Sequence, residues 1–236
     1  MPNLSLIKYL YFDFNKVLAH RLVKPEEYVA MKLGIKSQEY QKLEDTILYD
    51  KRFFPDSHEW NKVKSIEHQK DFFDRFHYAL LGYLNRSPDK QVINELTQFW
   101  FEDEFEIKPQ TIKTLTILRK NYRLGIITNG FPSRRYNELK LENLDQYFEE
   151  IIISQETGYK KPQREIYDFS LSRAGVKHNE ILLVDDNTRN VKGALYAGWK
   201  TGIKINQNHR GSYTFDHYFT INNIGDILTL PGIKTT

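Results

Sequence analysis

Residues 7–13, which read IKYLYFD, decide the fold expected for this chain of 236 residues. They form a short apolar and aromatic run that ends in a carboxylate, as is typical of a parallel strand buried on both faces. Similar runs recur after residue 122, with helical segments between them: RLGIIT (123–128), EIIIS (150–154), EILLVD (180–185), TGIKI (201–205) and YFTI (218–221). This alternation predicts right-handed βαβ units and hence a Rossmann-like α/β core with a parallel sheet.

Single residues in this second half indicate where its helices begin and end. Pro162 is expected in the first turn of one helix, where a missing N–H does no harm, and Gly175 lies just beyond the end of that helix. Asn187 stands where an N-cap would accept a hydrogen bond from the next helix, which Gly198 follows.

A different kind of sequence separates the first strand from the others. Residues 16–105 are rich in charged and aromatic residues, and their apolar positions recur at helical spacing. We therefore predict an all-helical insertion over 16–105, within a core formed by 1–15 and 106–236. Its aromatic residues are expected to pack as a helical core rather than to line a substrate cage; they include Phe72, Phe73, Phe76, Tyr78, Trp100 and Phe101.

Composition narrows the classes of function. The net charge is only +3, from 34 basic and 31 acidic residues, and no basic tract concentrates it, so a nucleic-acid partner is not expected. The chain has no cysteine, which excludes disulfides, thiolate metal sites and cysteine nucleophiles. No signal-peptide pattern or membrane-length apolar stretch occurs, so we expect a cytoplasmic protein without a membrane partner. The oligomeric state cannot be read from these features.

Polar side chains follow the predicted strands at the edge where ligands bind in open α/β sheets. Asp13, Thr128 and the pair Asp185-Asp186 end three of these strands, and Lys161 follows a fourth. A carboxylate can attack phosphorus to give an aspartyl-phosphate. Neighbouring carboxylates need a cation between them, for which Mg²⁺ is suited, and a hydroxyl and a lysine can neutralise phosphoryl oxygens.

These stretches resemble, in order, the four motifs of the haloacid dehalogenase superfamily. YFDFNKVL (11–18) is similar to the first motif, D-x-D-x-[TV]-L, and IITNG (126–130) to the second. GYKKPQREIY (158–167) is similar to the third, where a lysine precedes proline, and LLVDDNTRNVKGALYAG (182–198) to the D-D-x-x-x-[DN] form of the fourth. The resemblance implies the phosphatase branch with a helical cap inserted between the first two motifs.

The resemblance also implies a role for each matching residue on the substrate side. Asp13 would be the nucleophile, and Thr128 and Asn129 would bind the phosphoryl group. Lys161 would orient the nucleophile and balance its charge. The neighbouring Lys160 is expected to be an ordinary solvated lysine.

On the metal side, the resemblance implies a Mg²⁺ site. Asp13 and Asp186 would bind the ion directly. Asp185 would either bind it directly or support the residues that surround it without contacting the ion. The main-chain carbonyl of Asn15 would complete the protein ligands, a role that does not depend on the side chain. Asn190 would support the loop.

Position 15 departs from the family pattern. Phosphatases of this superfamily usually carry a second aspartate there, which protonates the leaving group and then activates water; Asn15 can do neither. Three explanations stay open at this stage: a substrate whose leaving group needs little protonation, the dehalogenase chemistry of a related branch, or a disabling change, introduced or natural, on a phosphatase framework.

The expected partner is a small phosphorylated metabolite, such as a sugar phosphate or a nucleotide, whose choice would depend on the helical insertion. From a different class, a protein that binds phosphate esters without hydrolysing them would fit the same residues. Phosphate release would distinguish the two.

Overall fold

The computed structural model describes residues 4–55, 65–101, 105–141, 143–206, 213–215 and 218–236. Its strands are β1 (Tyr9–Phe12), β2 (His20–Arg21), β3 (Phe105–Glu106), β4 (Arg123–Thr128), β5 (Glu150–Ile153), β6 (Ile181–Asp185), β7 (Thr201–Ile205), β8 (Tyr213–Phe215) and β9 (Tyr218–Ile221). Its α-helices are α1 (Pro25–Lys32), α2 (Ser37–Leu48), α3 (Ile66–Tyr83), α4 (Lys90–Phe99), α5 (Pro109–Leu118), α6 (Pro132–Leu141), α7 (Ser154–Thr157), α8 (Arg164–Ala174) and α9 (Thr188–Tyr196). Short 3-10 helices cover Leu4–Leu6, Asp145–Tyr147 and Ile224–Thr229.

A seven-stranded sheet in the order β5-β4-β1-β6-β7-β9-β8 forms the centre of the α/β fold. Six of its strands are parallel, which confirms the Rossmann-like α/β prediction, and all six predicted strands are present. The sequence did not predict the edge strand β8, which pairs antiparallel with β9, or the separate two-stranded sheet of β2 and β3.

The chain divides into two compact units. The first contains residues 1–20, 106–131 and 135–236, and the second contains 21–105 and 132–134. The first unit therefore continues to residue 20, whereas the predicted boundary lay at 15. Residues 16–19 stay with the first unit because the amides of Leu18 and Ala19 both donate to the carbonyl of Phe14, and both side chains are fully buried.

The core of the first unit is centred on β1, all of whose side chains are inaccessible to solvent. Two of them, Tyr9 and Tyr11, stack with ring centroids 4.6 Å apart. Both rings lie where a side chain on Gly125 of the neighbouring strand would have to stand. A glycine at that point lets β1 and β4 pair in full register beneath two large aromatic rings.

The second unit contains the helices α1 to α4. Phe72, Phe73 and Phe76 are buried, and Trp100 stacks on Phe73 at 4.4 Å, so this part of the aromatic group packs as a core. Tyr78 was wrongly included, because it is 50% exposed. The rings of Phe72, Phe73, Phe76 and Trp100 border a cavity of about 330 Å³. The described ranges hold no helix that combines the length and the apolar character needed to cross a membrane.

The predicted helix ends hold with one exception. Asn187 caps α9 by accepting from the amide of Arg189, and Gly175 ends α8 with a positive φ of 64°. Pro162, however, lies before α8 rather than in its first turn. The amide of Gln163 donates to the carbonyl of Lys160, so a tight turn precedes the helix.

Candidate active site

The candidate site lies where the strand order reverses direction along the chain. β1 is flanked by β4 on one side and β6 on the other, in matching parallel register. Asp13 directly follows β1, while Thr128 and Asp185 end its two neighbours. The amide of Asp13 donates to the carbonyl of Val184, which holds the two acidic strand ends at the same level. Such a switch point opens the crevice in which α/β proteins bind ligands.

Lys161 forms ion pairs with two acidic residues, Asp13 and Asp185. Its Nζ lies 2.8 Å from Oδ1 of Asp13 and 2.6 Å from Oδ2 of Asp185, and its side chain is 1% exposed. Burial acts to lower the pKa of the ammonium, but the two carboxylates outweigh burial and raise that pKa. Lys161 is therefore a buried cation shared between the carboxylates of Asp13 and Asp185.

Asp185 is fully occupied by hydrogen bonds. Besides Lys161, its carboxylate accepts from the amide of Asn187 at 2.8 Å and from the side-chain nitrogen of Asn190 at 3.0 and 3.1 Å. The side chain is inaccessible to solvent, and this burial raises the pKa of Asp185. Two roles were predicted for Asp185: to bind Mg²⁺ directly, or to act without contacting the ion. These contacts favour the second role, because they leave little room for a directly bound ion.

Asp186 is the open member of the same group. One carboxylate oxygen each from Asp13, Asp185 and Asp186 lie within 4.8 Å of one another, and we call these three residues the carboxylate cluster. The Asp186 side chain is 28% exposed, and one of its oxygens lies 3.8 Å from the ammonium of Lys16. Burial and the charge of Asp13 raise the pKa of Asp186. An all-oxygen set with excess negative charge suits a hard divalent cation such as Mg²⁺.

Asn15 follows Asp13 by two positions in the chain and carries an unused polar atom. Its side-chain oxygen is buried and has no hydrogen-bond partner among the described residues. The loop that carries it turns back on itself, because the amide of Lys16 donates to the carbonyl of Ala19 at 2.7 Å. Lys16 adopts a left-handed backbone conformation, with φ of 62°, in that turn.

Asn129 lies beside Lys161, but its side chain contacts main chain there. Its side-chain nitrogen donates to the carbonyl of Lys161 at 3.0 Å, and its side-chain oxygen accepts from the amide of Lys161 at 2.9 Å. The carboxamide therefore fixes residues 158–163, the segment between α7 and α8 that carries Lys161 and that we call the lysine loop. Thr128 is fully buried, and its hydroxyl makes only a long contact of 3.4 Å with the next carbonyl.

Sequence reasoning missed two cations of the first unit. Lys16 carries the ion pair with Asp186, and its only signal was its place beside Asn15. Arg135 is almost fully buried; it pairs with Glu138 at 2.5 Å, and its guanidinium lies 4.0 Å from the ring centre of Phe14. It thereby packs against Phe14, the residue that follows Asp13 in the chain. Nothing in the sequence distinguishes it from the other basic residues of α6.

Comparisons with known proteins agree with this geometry. A family model described as haloacid dehalogenase-like hydrolase matches residues 57–203, which is more than half of the chain. The pyrimidine 5'-nucleotidase YjjG of Escherichia coli is 35% identical over 104 residues, covering 43% of this chain and 46% of that protein. A glyceraldehyde 3-phosphate phosphatase of Methanocaldococcus jannaschii is 30% identical over 126 residues, covering 52% and 55%. The matches thus span about half the length of these relatives.

Among solved structures, the magnesium-bound HAD-hydrolase YfnB of Bacillus subtilis aligns with a TM-score of 0.64 and 19% identity. The alignment covers 94% of this chain and 97% of YfnB, which shows the shared fold. Family match, fold and the positions of the four motifs agree. The chain therefore belongs to the haloacid dehalogenase-like hydrolase family.

Proposed function

We propose that this protein is a Mg²⁺-dependent phosphatase that hydrolyses a small phosphorylated metabolite through an aspartyl-phosphate on Asp13. One observation carries the proposal: a nucleophile-type carboxylate held by a buried lysine inside the carboxylate cluster, at the switch point of the sheet. A nucleophile, a fixed counter-charge and a cation site are the parts that phosphoryl transfer needs.

Each residue has a role that follows from its contacts. Lys161 binds Oδ1 of Asp13, which leaves Oδ2 to attack phosphorus. Asp185 holds Lys161 in place and takes no direct part. Asp13, Asp186 and the main-chain carbonyl of Asn15 would hold Mg²⁺. When bound, the ion supplies neutralisation of the phosphoryl oxygens, whose negative charge is spread in the transition state.

The relatives favour a small phosphomonoester as the substrate. YjjG is named a pyrimidine 5'-nucleotidase and the Methanocaldococcus protein a glyceraldehyde 3-phosphate phosphatase, although each matches over only about half of its length. The magnesium reported in YfnB, a protein of the same fold, supports the choice of ion. A nucleotide or a sugar phosphate is therefore the proposed substrate class.

The dehalogenase alternative receives less support from the site. That chemistry needs no divalent cation, whereas the exposed carboxylate of Asp186 beside Asp13 concentrates negative charge that a cation would relieve. A protein that only binds phosphate esters would need the same cation and lysine, so activity must separate it from a phosphatase.

The test measures phosphate release from a panel of nucleotides and sugar phosphates, at high protein concentration, with and without Mg²⁺. We expect release that requires Mg²⁺ and disappears in Asp13→Asn. Asp168→Asn is the matched control, because Asp168 is exposed and its ion pair is an i,i+4 pair with Arg164 on the helix surface. Binding without release from any substrate would favour the binding protein, and release by Asp13→Asn would refute the proposed nucleophile.

A further inference from the structure

We propose that Asn15 makes Asp13 a long-lived phosphoryl carrier: the aspartyl-phosphate forms from donors with acidic leaving groups, then hydrolyses slowly and accumulates. This inference rests on the proposed function, because it concerns the fate of the same phosphoenzyme.

The starting observation is the chemistry of residue 15. Asn15 lies two residues after Asp13 in the same loop, and its buried side-chain oxygen has no hydrogen-bond partner in the described part of the chain. A carboxamide neither releases nor takes up a proton near neutral pH, so it can offer a hydrogen bond but cannot serve as an acid or a base.

The other described groups that meet Asp13 are already committed. The ammonium of Lys161 is shared between two carboxylates. Asp185 accepts hydrogen bonds from a lysine, an amide and a side-chain nitrogen. Asp186 is the carboxylate assigned to the cation. Within the carboxylate cluster and its lysine, no group is left to replace the missing acid and base.

The first chemical step can proceed without that acid. A carboxylate oxygen of Asp13 attacks phosphorus, the bond from phosphorus to the leaving oxygen breaks, and the electron pair stays on the leaving oxygen. An acyl phosphate, an aryl phosphate or a phosphoanhydride releases a stable anion that needs no proton. An alkyl phosphate, such as a nucleoside 5'-monophosphate or most sugar phosphates, releases an alkoxide that does. Such esters should therefore phosphorylate Asp13 slowly, and donors with acidic leaving groups should phosphorylate it fast.

The second step cannot be rescued by the choice of donor. Water attacks phosphorus, the bond to Asp13 breaks with its electron pair returning to the carboxylate, and the water proton must pass to a base. Every donor gives the same phosphoenzyme and the same attacking water. Loss of base assistance should therefore slow this step by about 10²- to 10⁴-fold, whichever donor was used.

The experiment uses the full chain with Mg²⁺ and either acetyl phosphate or p-nitrophenyl phosphate. Samples quenched during turnover are weighed by intact-protein mass spectrometry, and the leaving group is followed in parallel. We expect most of the chain to carry one phosphoryl group, with a burst of about one leaving group per chain before a slow steady state. Asp13→Asn should show neither.

Two asparagine-to-aspartate variants complete the test. Asn15→Asp should lower the phosphorylated fraction and raise steady-state turnover by about 10²- to 10⁴-fold. Asn85→Asp, an exposed turn position in the second unit, makes the same change of charge and should behave like the native chain.

Turnover of either donor by the native chain without a burst and without a mass increase would overturn the inference while leaving the phosphatase proposal intact. This outcome needs no variant, so it holds even if Asn15→Asp fails to fold. Absence of both phosphorylation and phosphate release from all donors, in the native chain and in a folded Asn15→Asp, would instead refute the proposed function.

Discussion

Replacing Lys161 with methionine should be among the most damaging single changes in this protein. The side chain is 1% exposed, and its ammonium contacts Asp13 and Asp185 at 2.8 and 2.6 Å. Methionine keeps much of the length and apolar volume of lysine, so the change removes the charge with little change in packing. It leaves two acidic groups facing each other in a buried site.

The magnitude follows from these distances. At an effective dielectric constant of about 20, each contact corresponds to an attraction of about 6 kcal/mol, most of which is offset by the cost of burying the charges. Removing one partner of such a buried pair typically lowers the free energy of unfolding by about 3–5 kcal/mol. That is a large fraction of the stability of an ordinary domain, and phosphate release should be lost as well.

Urea unfolding followed by circular dichroism measures the effect, with Lys160→Met as the matched control. Lys160 precedes Lys161 in the chain but is exposed, so its loss should change the free energy of unfolding by less than about 0.5 kcal/mol. Adding Asp185→Asn to Lys161→Met also removes the negative charge of Asp185, and the free energy of unfolding should then rise by at least about 1 kcal/mol relative to Lys161→Met alone. Equal stability of the two lysine variants, or no recovery in the double variant, would refute the argument that Lys161 compensates buried charge.

Three further changes test other parts of the fold. Burial lowers the pKa of His77 to about 3, so neutral His77 contributes fully to stability above pH 6.5, and this contribution is lost as the pH falls. The free energy of unfolding measured in urea should therefore be about 2 kcal/mol lower at pH 5 than at pH 7. The variant His77→Gln should lose this pH dependence. Gly193→Ala would place a methyl group 2.8 Å from Pro162, lowering the free energy of unfolding by about 1–3 kcal/mol and displacing the lysine loop; an unchanged unfolding midpoint and activity would contradict this. Arg135→Met removes the ion pair with the largely covered carboxylate of Glu138 and should lower the free energy of unfolding by about 3 kcal/mol in the same assay, whereas an effect below 1 kcal/mol would show that the pair is not needed.

The sheet and the location of the site could be predicted because both depend on short-range pattern. Apolar runs of strand length, each followed by a polar residue, gave all six parallel strands. Parallel strands place their carboxyl ends at one edge, so Asp13, Asp185 and the lysine loop had to come together there. The edge strand β8 has only three residues, and so short an element gives no periodic signal.

The individual contacts could not be predicted, because they depend on side-chain direction in three dimensions. Asn129 was assigned to a phosphoryl group, yet its carboxamide pairs with both main-chain polar groups of Lys161, which is 32 positions away in the sequence. The ion pair of Lys16 with Asp186 depends on a left-handed turn that non-glycine residues seldom adopt. Such features have no repeating spacing that a sequence would reveal.

The pair Asp185-Asp186 shows why two adjacent carboxylates are useful at one strand end. Consecutive residues at the end of a strand point in different directions, so the same sequence step yields one buried and one open carboxylate. Asp185 turns inward, where hydrogen bonds from Asn190 and Lys161 fix it, and it thereby sets the position of the ammonium that contacts Asp13. Asp186 turns toward the more exposed side, where it pairs with Lys16, and it is the carboxylate that we propose for the cation. A single aspartate could not do both, because the hydrogen bonds that make Asp185 rigid occupy the oxygens that a metal ion would need.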